Sequence, residues 1–292
     1  MTTTQLDLFS HPTFQNELFG FEYNTIRPFN KLDEGPIEFN IVNNKEYINL
    51  AETVLHLKVK VTNADGSIIA TAQDKDDVAL INNSMHSIFS DVTIYINSKK
   101  VDGGDGYYPY RAYMQSLLGY SEKVQQEQMF AIGFLKDDHK EMSTKNNAAY
   151  VKRKAWTAAG ATKEFYGKLK SPFLAQAKFL PPGVDISIKL DRAKDSFALF
   201  STVPGLKPKV EIVHATLDIV TAKVNPNIMQ HHMTQLARNI PAVYEIHPLD
   251  IQIIPLEINA LGGVKEYLLW ASSKVYDYGN GTHCSLLWRL FH

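Results

Sequence analysis

Apolar and polar residues alternate with a period of two along several separate stretches of the chain, and each such stretch predicts a strand with one dry face and one wet face. Ile37, Phe39 and Ile41 alternate with Glu38 and Asn40, and Leu55, Leu57, Val59 and Val61 alternate with His56, Lys58 and Lys60. Val92, Ile94 and Ile96 alternate with Thr93 and Tyr95, and further on Val184, Ile186, Ile188 and Leu190 alternate with Asp185, Ser187 and Lys189. The longest β-forming run is Val210 to Val224. Asp65-Gly66 predicts a hairpin turn, with Ile68, Ile69 and Ala70 as the returning partner. Pro181-Pro182-Gly183 precedes the Val184 strand and Pro204-Gly205 with Pro208 precedes Val210, because proline is tolerated at a strand's entry but not in its middle.

Helical spacing is confined to connections. Ile81, Met85, Ile88 and Phe89 fall at i, i+4, i+7 and i+8, which predicts a short helix ahead of the Val92 strand. A turn-rich run from Ser98 to Gly106 leads to Pro109, which suits the first turn of a helix continued by Ala112, Tyr113, Leu117 and Leu118. Glu122 to Met129 is compatible with a helix, and Lys136 to Lys154 is charged without alternation, so residues 122 to 170 read as a long excursion. Ile228, Met229, Met233, Leu236 and Ala237 predict a short helix or linker between Pro226 and Pro241. Residues 1–34 scatter Phe9, Phe14, Phe19, Phe21 and Phe29 without a sustained period and read as an arm that packs on something already folded. About six antiparallel-type strands with helices only between them favour an all-β sandwich over an α/β sheet.

Composition narrows the class without naming a function. At 292 residues the chain is long enough to bury a sizeable core. Thirty basic residues against 31 acidic ones give a formal net charge of -1, which argues against a strongly basic nucleic-acid coat. Cys284 is the single cysteine, so no intrachain disulfide framework or cysteine-rich zinc site is available, and synthesis in a reducing compartment fits. The start MTTTQLDLFSHPTF lacks the basic and apolar regions of a secretory signal, and no run reaches the roughly 18 apolar residues of a membrane span.

Candidate chemistry is thin. Ten histidines invite a metal site, but the adjacent pair His231-His232 points its side chains different ways, and no His-Glu-x-x-His spacing occurs. His86 and His214 read as structural. Asp185, Asp191 and Asp195 could mimic a glycosidase carboxylate pair, yet they sit among Lys189, Arg192 and Lys194 at a strand's end, where mutual neutralisation in solvent is the simpler reading. Gly103 to Gly106 is glycine-rich, but no Lys-Ser/Thr follows, so it is not a phosphate loop. Lys152, Arg153 and Lys154 with Trp156 form the densest cationic and aromatic group, which reads as a solvated loop more than as a nucleic-acid contact. Four tyrosines in seven residues, Tyr107, Tyr108, Tyr110 and Tyr113, have the composition of a protein interface. No nucleophile with a base, no metal set and no cofactor emerges, so the chain is expected to be neither an enzyme nor a metalloprotein.

The segments "NNSMHSIFSDVTIYIN" and "YPYRAYMQSLL", together with "GPIEFNI", "EYINLAETVLHLKVKVTNADG", "GKLKSPFLAQAKFLPPGVDISIKLDRAKDSF" and "VEIVHATLDIVTAKVNP", resemble in order the major capsid proteins of Maverick/Polinton elements and their adintovirus relatives. The resemblance covers roughly residues 20 to 255. It implies a double jelly-roll subunit whose barrels stand upright in an icosahedral shell, with trimers of pseudo-hexagonal outline as the building block. It also implies a virion location after synthesis in the host cytoplasm or nucleus, and partners that are other copies and other capsid proteins, with no specific nucleic acid and no membrane span. Tyr107, Tyr108, Tyr110, Tyr113 and Leu117 are then the candidate subunit contacts, with the N-terminal arm. The expected domains are an arm at 1–34, a first jelly roll at 35–225, and at 226–292 a linker and the start of a second jelly roll that is truncated. Only 67 residues (292 minus 225) follow Asn225, too few for eight more strands of about six residues each. The tail, with Leu286, Leu287, Trp288, Leu290 and Phe291, is expected to pack poorly. The alternative is a single jelly-roll binding module, for carbohydrate or as a minor capsid or penton-type protein.

Overall fold

Three of the alternating stretches, those of Ile37, Val92 and Ile186, become neighbours in one sheet. In the computed structural model, which describes residues 17–33, 35–43, 45–69, 78–138, 147–201, 206–238, 240–244, 249–255, 267–273 and 284–289, the chain forms ten strands up to residue 224. They are β1 (Leu18–Ile26), β2 (Ile37–Ile41), β3 (Tyr47–Asn63), β4 (Val78–Leu80), β5 (Phe89–Ile96), β6 (Lys99–Asp102), β7 (Thr162–Gly167), β8 (Ile186–Arg192), β9 (Leu199–Ser201) and β10 (Pro208–Val224). Two four-stranded antiparallel sheets result, with the orders β1-β10-β3-β7 and β2-β8-β5-β6, and β4 pairs β9 in a short ribbon. The chain passes repeatedly from one sheet to the other, and this is a jelly-roll sandwich.

Register explains why the alternation is so clean. In the second sheet Ile37, Leu190 and Val92 lie in one cross-strand row, and Phe39, Ile188 and Ile94 in the next. All six are buried. In the first sheet Leu55 pairs Leu217, Leu57 pairs Ala215 and Phe165, and Val61 pairs Val210, again all buried. These two inner faces make the core, at roughly 1.5–3 kcal/mol for each large aliphatic or aromatic side chain removed from water. The wet face of β3 carries Lys58, paired to Glu164 at 2.8 Å, and Lys60, paired to Glu211 at 3.0 Å. Such exposed pairs contribute little to stability.

Three expectations need correction. Leu18–Ile26, read as part of an arm, is the edge strand β1, antiparallel to β10 from Leu18↔Val224 to Ile26↔Leu217. The strand buries no residue fully: Ile26 packs against the core, Asn24 Nδ2 donates to Thr221 Oγ1 at 3.1 Å, and Phe19, Phe21 and Tyr23 are exposed. Residues 1–16 of that arm lie outside the described residues. The helix expected over residues 81–89 shrinks to α1 (Ser84–Ser87), because Asn83 adopts a left-handed conformation with φ 57° and Phe89 already belongs to β5. The hairpin after Asp65-Gly66 closes through Asn63 and Ser67 with a single bridge, Thr62↔Ile68, and Ala70 lies outside the described residues.

The long connection between β6 and β7 carries α2 (Tyr108–Leu118), α3 (Glu122–Glu127), a 3-10 turn at Met129–Ile132 and α4 (Ala148–Trp156). Gln125 Nε2 donates to the carbonyls of Ser116, Leu117 and Tyr120, closing the end of α2. A short α5 (Asp195–Ala198) precedes β9. After β10, α6 (Pro226–Ala237) starts at Asn225, whose side chain accepts from Asn227 N, and Pro226 takes the first helical turn. Three further strands, β11 (Leu249–Pro255), β12 (Tyr267–Ser273) and β13 (Cys284–Arg289), pair in sequence as an antiparallel sheet. The residues between them, and Leu290 and Phe291 of the expected apolar tail, lie outside the described residues.

Candidate subunit-contact surface

The tyrosine-rich helix is mostly an internal strut. Tyr108 is 0% exposed, its hydroxyl sits 2.8 Å from Nδ1 of the equally buried His86, and the backbone N–H of Lys170 reaches the same hydroxyl at 3.4 Å. Burial, followed by the nearby Lys170 charge, pushes His86 down to about 3, so its imidazole is neutral at physiological pH. Burial likewise holds the Tyr108 hydroxyl well above the ordinary tyrosine range. Arg111 lies beneath Tyr108, its guanidinium carbon 5.8 Å from the ring centroid and Nη1 3.8 Å from Asp105. Asp102 accepts from Ser171 Oγ on the loop that follows β7, tying the start of the connection to its far end. Gly103 sits at φ +82°, where an added Cβ would stand 1.9 Å from the Val92 carbonyl oxygen, so the chain needs glycine to cross β5.

Of the five predicted contact residues, Tyr108 is therefore removed from the surface altogether. Tyr113 is half-buried against Phe134, with ring centroids 5.9 Å apart, and Leu117 is half-buried against the core. Tyr110 remains exposed and packs beside Phe197 at 5.6 Å, with Tyr107 at 6.4 Å on its other side. The signal for an interface, a dense run of tyrosines, was read from local composition, which cannot show that α2 turns one of them toward a buried histidine.

Other candidates resolve in the same way. Arg153 is buried and donates to Asp137 at 2.9 Å and to the Leu80 carbonyl at 3.0 Å, so it is a core ion pair and not a phosphate ligand. Trp156 packs edge-on against Phe130 and Phe165, and the Lys163 ammonium stands 4.2 Å from the Phe130 ring and 4.8 Å from Trp156. Among the carboxylates, Asp191 pairs with Lys189 at 2.9 Å and Asp195 accepts the Val210 amide at 2.9 Å, so they serve separate local tasks. His232 bonds Tyr47 through Nδ1 at 2.8 Å, and His214, exposed on the outer sheet face, packs against His56 at 5.5 Å. Among the described residues no group of three His, Cys, Asp or Glu could hold a metal ion. No described helix is long and apolar enough to cross a membrane.

Exposed aromatic surface lies elsewhere, along β1. Phe19 is 67% exposed, Phe21 50% and Tyr23 81%, three alternate residues on the outer side of an edge strand. An edge offers free backbone hydrogen-bonding groups, and here it also offers aromatic area, the two ingredients of a strand-mediated contact.

No protein-family model matches the chain. Over 125 residues it is 30% identical to an uncharacterized protein of Caenorhabditis elegans, a match covering 41% of this chain and 29% of that protein. By fold it is similar to a chain of the Sputnik virophage determined by cryo-electron microscopy, with TM-score 0.58 and 11% identity over 88% of this chain and 57% of that one. It is also similar to the Faustovirus major capsid protein, with TM-score 0.50 and 12% identity over 87% of this chain and 61% of that one. The chain thus spans less than two thirds of the length of each of these three proteins. At such identities the structural likeness is one of fold.

Proposed function

We propose that the chain is a structural subunit of a viral capsid, its sandwich being one jelly roll of a double jelly-roll major capsid protein of the Maverick/Polinton and adintovirus kind. The observation that carries the reading is the pairing order of the two sheets, β1-β10-β3-β7 against β2-β8-β5-β6, in a fold like that of the Sputnik and Faustovirus chains. The resemblance of the spaced sequence segments supports the narrower family. In this reading residues 35–225 with β1 form the first barrel, and α6 with β11 to β13 leads into the second. Function resides in surfaces that meet other copies, in trimers that tile a shell, and in contacts with other capsid proteins in the virion. No residue has a catalytic role. Tyr107 and Tyr110, and the β1 aromatics, are the side chains placed to take part.

A second reading, a carbohydrate-binding jelly roll, draws on the same stripe of Phe19, Phe21 and Tyr23, since sugars stack on exposed rings. One experiment separates the two. Light scattering on the purified chain and on a Phe21→Ser, Tyr23→Ser variant is expected to show self-association that the variant loses, with no shift of either on adding a panel of oligosaccharides. A monomer of unchanged size in both samples, with saturable sugar binding abolished by the substitutions, would replace the capsid reading with the second one.

A further inference from the structure

Lys163 sits where a charged side chain has no charged partner. β7 is an edge strand of the first sheet, and Lys163 lies opposite the buried Val59, on the same side of the strand as Phe165 two residues on. Its ammonium stands 4.2 Å from the centroid of the Phe130 ring, 4.8 Å from that of Trp156 and 6.0 Å from that of Phe165. The rings come from three separate elements, the 3-10 turn at Met129–Ile132, the last residue of α4, and β7 itself. They brace one another. Phe130 meets Trp156 edge-on at 5.3 Å, and Trp156 meets Phe165 edge-on at 6.1 Å.

Glu164, the next residue, lies on the opposite side of the strand and bonds Lys58 at 2.8 Å, and among the described residues no carboxylate pairs with Lys163. A lysine ammonium carries three N–H donors. Rings attract its charge but accept its hydrogen bonds poorly, so the donors on the ring side go unmet. Burial accordingly draws the proton affinity of Lys163 below the ordinary lysine range, with the Glu164 charge opposing. Methyl groups on the same nitrogen keep the positive charge, remove N–H groups that lack an acceptor and lay apolar surface on the rings. Access is open from one side, since Lys163 is half-buried and Phe130 is 41% exposed.

We propose that Lys163 is a methylation site, its methylated ammonium held by the Phe130, Trp156 and Phe165 rings of the same chain. The methyl donor is the sulfonium cosubstrate of a lysine methyltransferase. The ammonium first releases a proton to solvent. The amine lone pair then attacks the methyl carbon of the sulfonium, an N–C bond forms as the S–C bond breaks, and the bond pair leaves on the thioether sulfur. The modified side chain pins the edge strand β7 to the connection that runs from α2 to α4. The inference does not rest on the capsid reading, since it concerns one side chain and its own cage.

Two measurements on the full chain test it. In a Cys284→Ser background, Lys163→Cys supplies the one thiol. Alkylation with bromoethylamine restores a lysine-like side chain there, and alkylation with bromoethyl-trimethylammonium installs its trimethylated counterpart. The trimethylated chain is expected to melt about 2 °C or more above the lysine-like one, and the gap to shrink when Trp156→Leu removes a wall of the cage. Equal melting, or a lower value for the trimethylated chain, would overturn the proposal. For the modification itself, the native chain and Lys163→Arg are incubated with an animal-cell extract and radiolabelled S-adenosylmethionine. Label is expected on the peptide that contains Lys163, in the native chain alone. No label there, or label confined to other lysines, would overturn it as well. This second measurement labels the unsubstituted chain, so it decides even where the alkylated chains fold poorly.

Discussion

The burial of a neutral His86 is expected to make this protein less stable in mild acid, by an amount that follows from the site. The imidazole is buried with Tyr108 and beside the Lys170 charge, which holds its proton affinity down to about 3 from an ordinary 6.5. The unfolded chain therefore binds a proton that the folded chain refuses between pH 6.5 and 3. Stability contributed by the neutral imidazole is fully present above pH 6.5 and is lost as pH falls through that window. By linkage the loss is about 0.2 kcal/mol at pH 7 and about 2 kcal/mol at pH 5, a measurable fraction of a typical domain's stability of about 5–15 kcal/mol. Asp91 works the other way, since burial first of all holds its carboxyl above the usual range, so that acid favours the folded state there. The comparison that isolates the histidine is urea unfolding of the native chain and of His86→Gln at both pH values. The difference in stability between them should shrink by about 2 kcal/mol from pH 7 to pH 5. A difference that stays constant would show that the imidazole is not a buried neutral partner of Tyr108, and the description of α2 as an internal strut would fail with it.

Gly103→Ala places a Cβ against the Val92 carbonyl at a positive φ, and calorimetry should show a loss on the order of 3 kcal/mol or failure to fold, where Gly106→Ala, with open space around it, costs only the strain of its φ. Arg153→Ala leaves the Asp137 carboxylate without its counter-ion, held only by the Asn82 and Asn147 amides, so denaturant unfolding should show a loss on the order of 3 kcal/mol. Tyr113→Ser should cost about 3 kcal/mol in the same assay because its ring packs on Phe134, while Tyr110→Ser should cost under about 1 kcal/mol and act instead on association measured by light scattering.

The parts of this fold that the chain announces are its central strands. β3, β5 and β8 turn apolar residues toward the opposite sheet at every second position, and β10 does so in segments separated by two register shifts. Edge strands obey a weaker rule. β7 buries a single residue, Phe165, and β6 only Asp102, so both vanished into what looked like turn or excursion. β1 buries no residue and exposes its aromatics, with only Ile26 packed on the core, so no dry face distinguishes it from an arm. The tyrosine run failed as a surface marker for a related reason. Helical geometry sends Tyr108 and Tyr110 to different sides, and only the position of His86, 22 residues earlier, decides which side is core.

Cryo-electron microscopy of the protein expressed in its complete natural reading frame tests the central claim most directly. The capsid account predicts trimers of pseudo-hexagonal outline or closed shells, with the β1-β10-β3-β7 and β2-β8-β5-β6 sandwich upright in each subunit and the β1 edge or the Tyr110 surface against a neighbour. Monodisperse single subunits at every concentration and salt condition tried, with Phe21, Tyr23 and Tyr110 all facing solvent, would contradict it.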